Sequence, residues 1–193
     1  MNVISRQESY SKTITITKID AAQRQLKEAI RLWFDDRDPV AIHSLACSAY
    51  QIIHDINKQR GGRDLFYDSL VIKDEYQKEW AKRLKASYNF LKHADVDADG
   101  VLEFKPALTE AFISYSLFGL ELLGQKHDEI GGAYILYLSL HRPEFLTEKG
   151  KKQFFGKMSE GTLQFGREIP KSDFFQVYTT MRKQYLLNEG TNV

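Results

Sequence analysis

Apolar positions recur at helical spacing along most of the chain. In "IDAAQRQLKEAIRLWFDD", Ile19, Ala22, Leu26, Ile30 and Trp33 fall on one face of a helix. "RDP" interrupts this pattern, with Asp38 suited to an N-cap and Pro39 to the first position of a second helix. That helix is predicted to run to about Lys58 and to stop at Gly61 and Gly62. A short helix is expected at "DLFYDSL" and a long one from about Asp74 to Ala94, its apolar face made by Tyr76, Trp80, Leu84, Ser87, Leu91 and Ala94. Two further helices are predicted from near Pro106 to Gly124, and over "DEIGGAYILYLSL" before Pro143. "LTEKGKKQFFGKM" reads as a weak, glycine-interrupted helix, "EGTLQFGREIPKS" as a loop, and "DFFQVYTTMRKQYLL" as the closing helix.

Helices joined by short connections predict an all-α fold, a single bundle of about six to seven helices over residues 17–188. Residues 1–16, with "SKTITITK" near their end, read as an extended arm, edge strand or tail, and residues 189–193 as a fraying tail. A chain of 193 residues buries enough surface to fold without disulfides or structural metal. The net charge of +1 gives no global pull towards nucleic acid or membrane. One cysteine, Cys47, allows no internal disulfide. With no stretch of signal-peptide or membrane-span character, a cytoplasmic protein without membrane partners is expected.

The second helix carries His43, Cys47, Tyr50, His54 and Asn57 on one stripe, bordering the apolar arc of Ile42, Leu45, Ala46, Ala49, Ile53 and Ile56. Small residues along it (Ala41, Ser44, Ala46, Ser48, Ala49) leave room for another helix. His43 and His54 are separated by roughly 16 Å of helix, too far to share an ion. His43 and Cys47, one turn apart, are able to share a zinc ion if other elements supply two more ligands. The structural reading makes them boundary histidines and a buried thiol.

At the end of the long helix, "YNFLKH" places Asn89 and His93 one turn apart, next to Tyr88 and Lys92. Arg83 lies upstream, at the edge of the apolar face. Cations in a last helical turn are favoured by the helix dipole, so Lys92 and His93 also have a purely structural account. The stretch resembles the motif of the HEPN superfamily of small α-helical proteins, in which an arginine and a polar residue precede a histidine after a short gap. Asn89 matches the polar position and His93 the histidine, while Tyr88 stands where the arginine belongs. The resemblance implies metal-independent RNA cleavage at a dimer groove in active members, with the histidine moving protons and the arginine holding phosphate. Tyr88 cannot carry a fixed positive charge, so a non-cleaving member is the expectation. Asn89, His93 and Arg83 would then line the groove, with Tyr88 and Lys92 as further ligand contacts. The resemblance also implies a bacterial stress or defence setting.

"DVDADG" follows at once and opens like a calcium loop. Asp95, Asp97 and Asp99 alternate, Gly100 sits at the sixth place and Glu103 at the ninth. Pro106 occupies the twelfth place, where a bidentate glutamate belongs. A looser calcium site on Asp95, Asp97, Asp99 and Glu103 is one alternative, a solvated acidic turn another, and neutralisation of His93, Lys92 or Arg83 a third. "KGKKQFFGK" offers a basic-aromatic run for phosphates or a solvated face. Phosphate-loop, dinucleotide and HExxH patterns are missing, so no cofactor is expected. Three functions therefore compete. One is a HEPN-like protein binding RNA, nucleotide or a partner chain near Asn89 and His93. The others are a non-enzymatic homodimeric scaffold and a metal-binding bundle. Enzymatic activity, if present, would be that of a metal-independent ribonuclease.

Overall fold

The computed structural model describes residues 13–62, 65–66 and 73–190. Among them the chain is all-helical and forms eight α-helices and one 3-10 turn, with no strand. The expected edge strand is not formed over residues 13–16, and residues 1–12 lie outside the described residues. Thr17 instead caps the first helix. Its hydroxyl accepts from the Asp20 N–H while the Asp20 carboxylate accepts from the Thr17 N–H, a reciprocal box.

Helix α1 (Lys18–Phe34) buries Ala22, Leu26, Ala29, Ile30, Trp33 and Phe34. Asp36 reverses the chain in the left-handed region, at φ 51°, a conformation that Asp tolerates better than most residues. Helix α2 (Pro39–Gln59) begins as expected, with the Ala41 N–H donating to the Asp38 carboxylate at 2.8 Å. It ends on Gly61 at φ 66°, with the Gly62 N–H returning to the Asn57 carbonyl. The predicted helix at "DLFYDSL" lies outside the described residues apart from Leu65 and Phe66, which are buried.

Helix α3 (Asp74–Lys92) is followed by the acidic loop, then by α4 (Ala107–Leu122) and α5 (Glu129–His141). The buried face of α3 is shifted from the expected one. Leu84, Ser87 and Tyr88 are buried, whereas Tyr76 is 59% exposed. Helix α6 (Glu148–Phe155) follows the 3-10 turn at Pro143–Phe145. Helix α7 (Glu160–Glu168) occupies the stretch expected to be a loop. Ser159 caps it, Leu163 is buried, and Gly166 lets it press against Leu140. Helix α8 (Lys171–Gly190) closes the chain and extends past the predicted end.

Helix α2 lies between α1 and α4 and forms the centre of the bundle. Two aromatic groups flank it. Trp33 meets Phe34, Tyr134 and Tyr137 edge-on at one end. At the other, Phe66 stacks on Tyr115 at 4.5 Å and meets Phe112 and Trp80 edge-on. Trp80 also donates its indole N–H to the Phe66 carbonyl at 2.8 Å. Phe118 on α4 is 43% exposed. No helix among the described residues is long and apolar enough to cross a membrane.

Helix α4 approaches α2 closely at Gly119. A Cβ there would stand 2.5 Å from Ile53 Cγ2 and 3.1 Å from Leu65 Cδ1. Alanine favours a helix interior by about 1 kcal/mol over glycine. Ile53 is fully buried, so it has nowhere to retreat. Gly119→Ala should therefore destabilise the fold by about 1–3 kcal/mol in urea titrations. Combined with Ile53→Ala, it should cost less than the sum of the two single changes.

Candidate functional site

Helix α3 ends at His93, whose backbone leaves helical geometry (φ −124°, ψ 67°) while its N–H still donates to the Asn89 carbonyl at 3.0 Å. One turn of spacing puts Asn89 and His93 on the same side of α3. With Ala86 and Phe90 they form one wall of a groove of about 370 Å³, and Val96, Asp97 and Leu102 form the other. His93 is about half-exposed, with Nδ1 3.7 Å from an Asp95 carboxylate oxygen. This is an ion-pair distance, too long for a hydrogen bond. The loop turns at Gly100, whose N–H donates to the Asp97 carbonyl at 2.9 Å. A Cβ on Gly100 would stand 2.6 Å from an Asp97 carboxylate oxygen. Asp95, Asp97, Asp99 and Glu103 are all exposed. No group of three or more His, Cys, Asp or Glu side chains is placed to hold a metal ion among the described residues.

The other residues expected at this site lie elsewhere. Tyr88 is buried, and its hydroxyl is 3.1 Å from the Ser48 hydroxyl on α2. It fastens α3 to the bundle instead of facing the groove, because one residue of offset from Asn89 turns a side chain by about 100°. Lys92 follows Tyr88 and places its ammonium 4.5 Å from the centre of that ring. Arg83 is exposed and pairs with Glu79 at 3.0 Å, one turn earlier on α3. Among the described residues, no arginine or lysine lines the groove.

His43 and His54 are interior residues, not boundary ones, whereas Cys47 is a buried thiol as expected. His43, Cys47 and Tyr50 are fully buried, and His54 and Asn57 on the same stripe are buried too. His43 Nε2 lies 2.7 Å from the Ser87 hydroxyl on α3, and Nδ1 lies 2.9 Å from the Thr109 hydroxyl on α4. Cys47 Sγ is 3.3 Å from Nε2. Phe104 and Phe112 meet the imidazole edge-on. Burial holds the His43 pKa down to about 4 and pushes the Cys47 thiol up. A neutral imidazole with hydroxyls on both nitrogens, beside a protonated thiol, is hydrogen-bonded packing rather than a set of open metal ligands.

A second polar feature escaped the sequence reading. The start of α5 and the loop before it dock on α1 through Gln23 and Gln125 (3.4 Å) and through Lys27 and Asp128 (3.2 Å). Arg24, Lys27, Lys126 and His127 surround a cleft of about 250 Å³ with an apolar floor that includes Ile30 and Leu117. His127 Nε2 is 2.7 Å from Glu121, while its Nδ1 is buried without a hydrogen-bond partner among the described residues. The basic groups come from segments about a hundred residues apart, so no local motif reveals them.

No protein-family model, curated protein or solved structure matches this chain.

The buried imidazole makes stability depend on pH. Between about pH 6.5 and 4 the unfolded chain protonates this histidine and the folded chain does not. Stability should therefore fall as pH drops through that window, by at most about 1.4 kcal/mol per pH unit from this group. Urea titrations of wild type and His43→Leu across the window should show the slope from this group disappearing in the variant. The variant should also be less stable at pH 7, because Ser87 and Thr109 lose their shared partner.

Proposed function

We propose that the protein is a non-cleaving, HEPN-like helical binding module, and that the groove at the end of α3 holds a segment of a partner polypeptide. The observation that supports this reading most is the composition of the groove. Asn89 and His93 share it with Phe90, Val96 and Leu102, and Asp97 supplies the only carboxylate on its walls among the described residues. An extended peptide needs amide-like donors and acceptors, which Asn89 offers, and apolar surface for its side chains. Asp97, with Asp95 and Asp99 beside it, favours a lysine or arginine on that segment. Val96 and Val101 stand exposed on the same loop, at 78% and 94%, and extend the apolar surface. Metal-independent phosphodiester cleavage needs a fixed cation near the phosphate, which neither Tyr88 nor the paired Arg83 supplies.

A second reading, nucleotide or RNA binding without cleavage, is favoured by one observation, the basic cleft of Arg24, Lys27 and Lys126. Binding there would be strongly salt-dependent. One set of measurements separates the readings. A labelled short peptide of alternating lysine and leucine, and a labelled single-stranded RNA, are titrated with wild type, His93→Ala, Asp97→Asn and Arg24→Glu in excess EDTA. The expected result is an intact RNA and peptide binding weakened about fivefold or more by Asp97→Asn and by His93→Ala, a loss of about 1 kcal/mol. Arg24→Glu should leave peptide binding unchanged. RNA binding lost in Arg24→Glu but kept in His93→Ala would move the function to the cleft. RNA cleavage abolished by His93→Ala would overturn the non-cleaving assignment.

A further inference from the structure

A different surface, far from α3 in sequence, has the chemistry of a small-molecule site. Helices α7 and α8 diverge from the turn at Pro170, and α5 forms the floor between them. The result is a groove of about 330 Å³. Leu136 and Leu140 of α5, Ile169 at the end of α7, and Phe174 and Val177 of α8 line it. Phe165 and Met181 project beside it and remain about half-exposed, an unusual cost for side chains of that size. At the turn, Gly166 brings α7 within 4.0 Å of Phe174 and 2.9 Å of Leu140, measured from the Cβ position, and so narrows that end.

The charges are placed one-sidedly. Among the described residues, Lys157 and Arg182 are the only charged side chains on the groove walls, and neither pairs with a carboxylate of those residues. Arg182 stands roughly 18 Å along α8 from Pro170 by helical rise, and Lys157 lies just before the Ser159 cap, at the end of α7 away from that turn. Glu160, at the start of α7, faces Arg167 instead, at 3.5 Å. The groove is therefore apolar and narrow near the turn, and cationic at its open end.

From this we infer that the α5–α7–α8 groove binds a free, single-chain anionic amphiphile, a medium-chain carboxylate, with its alkyl chain towards Phe174 and its head group between Lys157 and Arg182. An alkyl chain suits a channel whose lining is mostly apolar, with Ser159, Thr162 and Tyr178 its uncharged polar side chains, and two cations suit one carboxylate. An amphipathic helix would need a wider trough, and a cationic amphiphile would meet the wrong charge.

The test is calorimetric titration of the full chain with sodium dodecanoate below its micellar concentration, with dodecyltrimethylammonium as the opposite-charge control. Saturable one-to-one binding of dodecanoate alone is expected. The double change Lys157→Glu with Arg182→Glu alters only exposed side chains, so folding should persist while affinity falls at least tenfold. Val177→Trp, which fills the channel, should abolish binding. Equal binding of both amphiphiles, or binding unaffected by the charge reversal, would overturn the inference. Flotation with anionic phospholipid vesicles but no binding of dodecanoate would assign the surface to a membrane and also overturn it. So would a dimer that dissociates in Phe165→Glu and leaves no dodecanoate site, because a second copy would then cover the groove.

Discussion

The arrangement of the central helices depends on one buried imidazole. His43 sits near the N-terminal end of α2 and reaches a hydroxyl on α3 with one nitrogen and a hydroxyl on α4 with the other. Apolar packing alone sets distances between helices but only loosely fixes their rotation and offset. Two short hydrogen bonds in an apolar surround specify both, because any slip leaves a buried polar atom unsatisfied. The bond to Ser87 matters most for α3, whose remaining attachment is thin. Leu84, Tyr88 and Trp80 hold a helix of 19 residues whose other face is solvated. The groove at Asn89 and His93 thus hangs on a helix whose position is set from the core.

Much of this architecture was legible in the sequence, and the failures have physical causes. Helices α1 and α2 each carry a periodic apolar face, and α4 and α5 are apolar nearly all round but bounded by Pro106 and Gly124 and by Asp128 and Pro143. Helix α7 carries Gly161 and Gly166 within nine residues, and local propensity argues against it. It exists because Ser159 caps it and because a glycine is needed where it meets Leu140. The stripe on α2 was misplaced to the boundary because histidine and asparagine count as polar in isolation. The polar partners that let His43 be buried are Ser87 and Thr109, both far along the chain.

The site residues divide in the same way. The one-turn spacing of Asn89 and His93 is a local property of a helix, and the structure places both in one groove. Tyr88 and Lys92 have the same spacing but point about 100° away, a difference that depends on which face of α3 meets α2. Arg83 is expected at the groove only through the resemblance, which calls for an arginine there. Glu79 holds it on the solvated side instead. The basic cleft and the forked apolar groove are assembled from separate helices, so tertiary structure creates them and no window of sequence contains them.

Cys47 gives the molecule a built-in reporter. Its sulfur is fully covered, packed against His43, and held in the protonated form by burial. Thiol reagents attack the thiolate, so modification waits on an opening that separates α2 from its neighbours. As the only cysteine in the chain, it yields a single chemical clock. The rate at which it ticks measures how often the centre of the bundle comes apart.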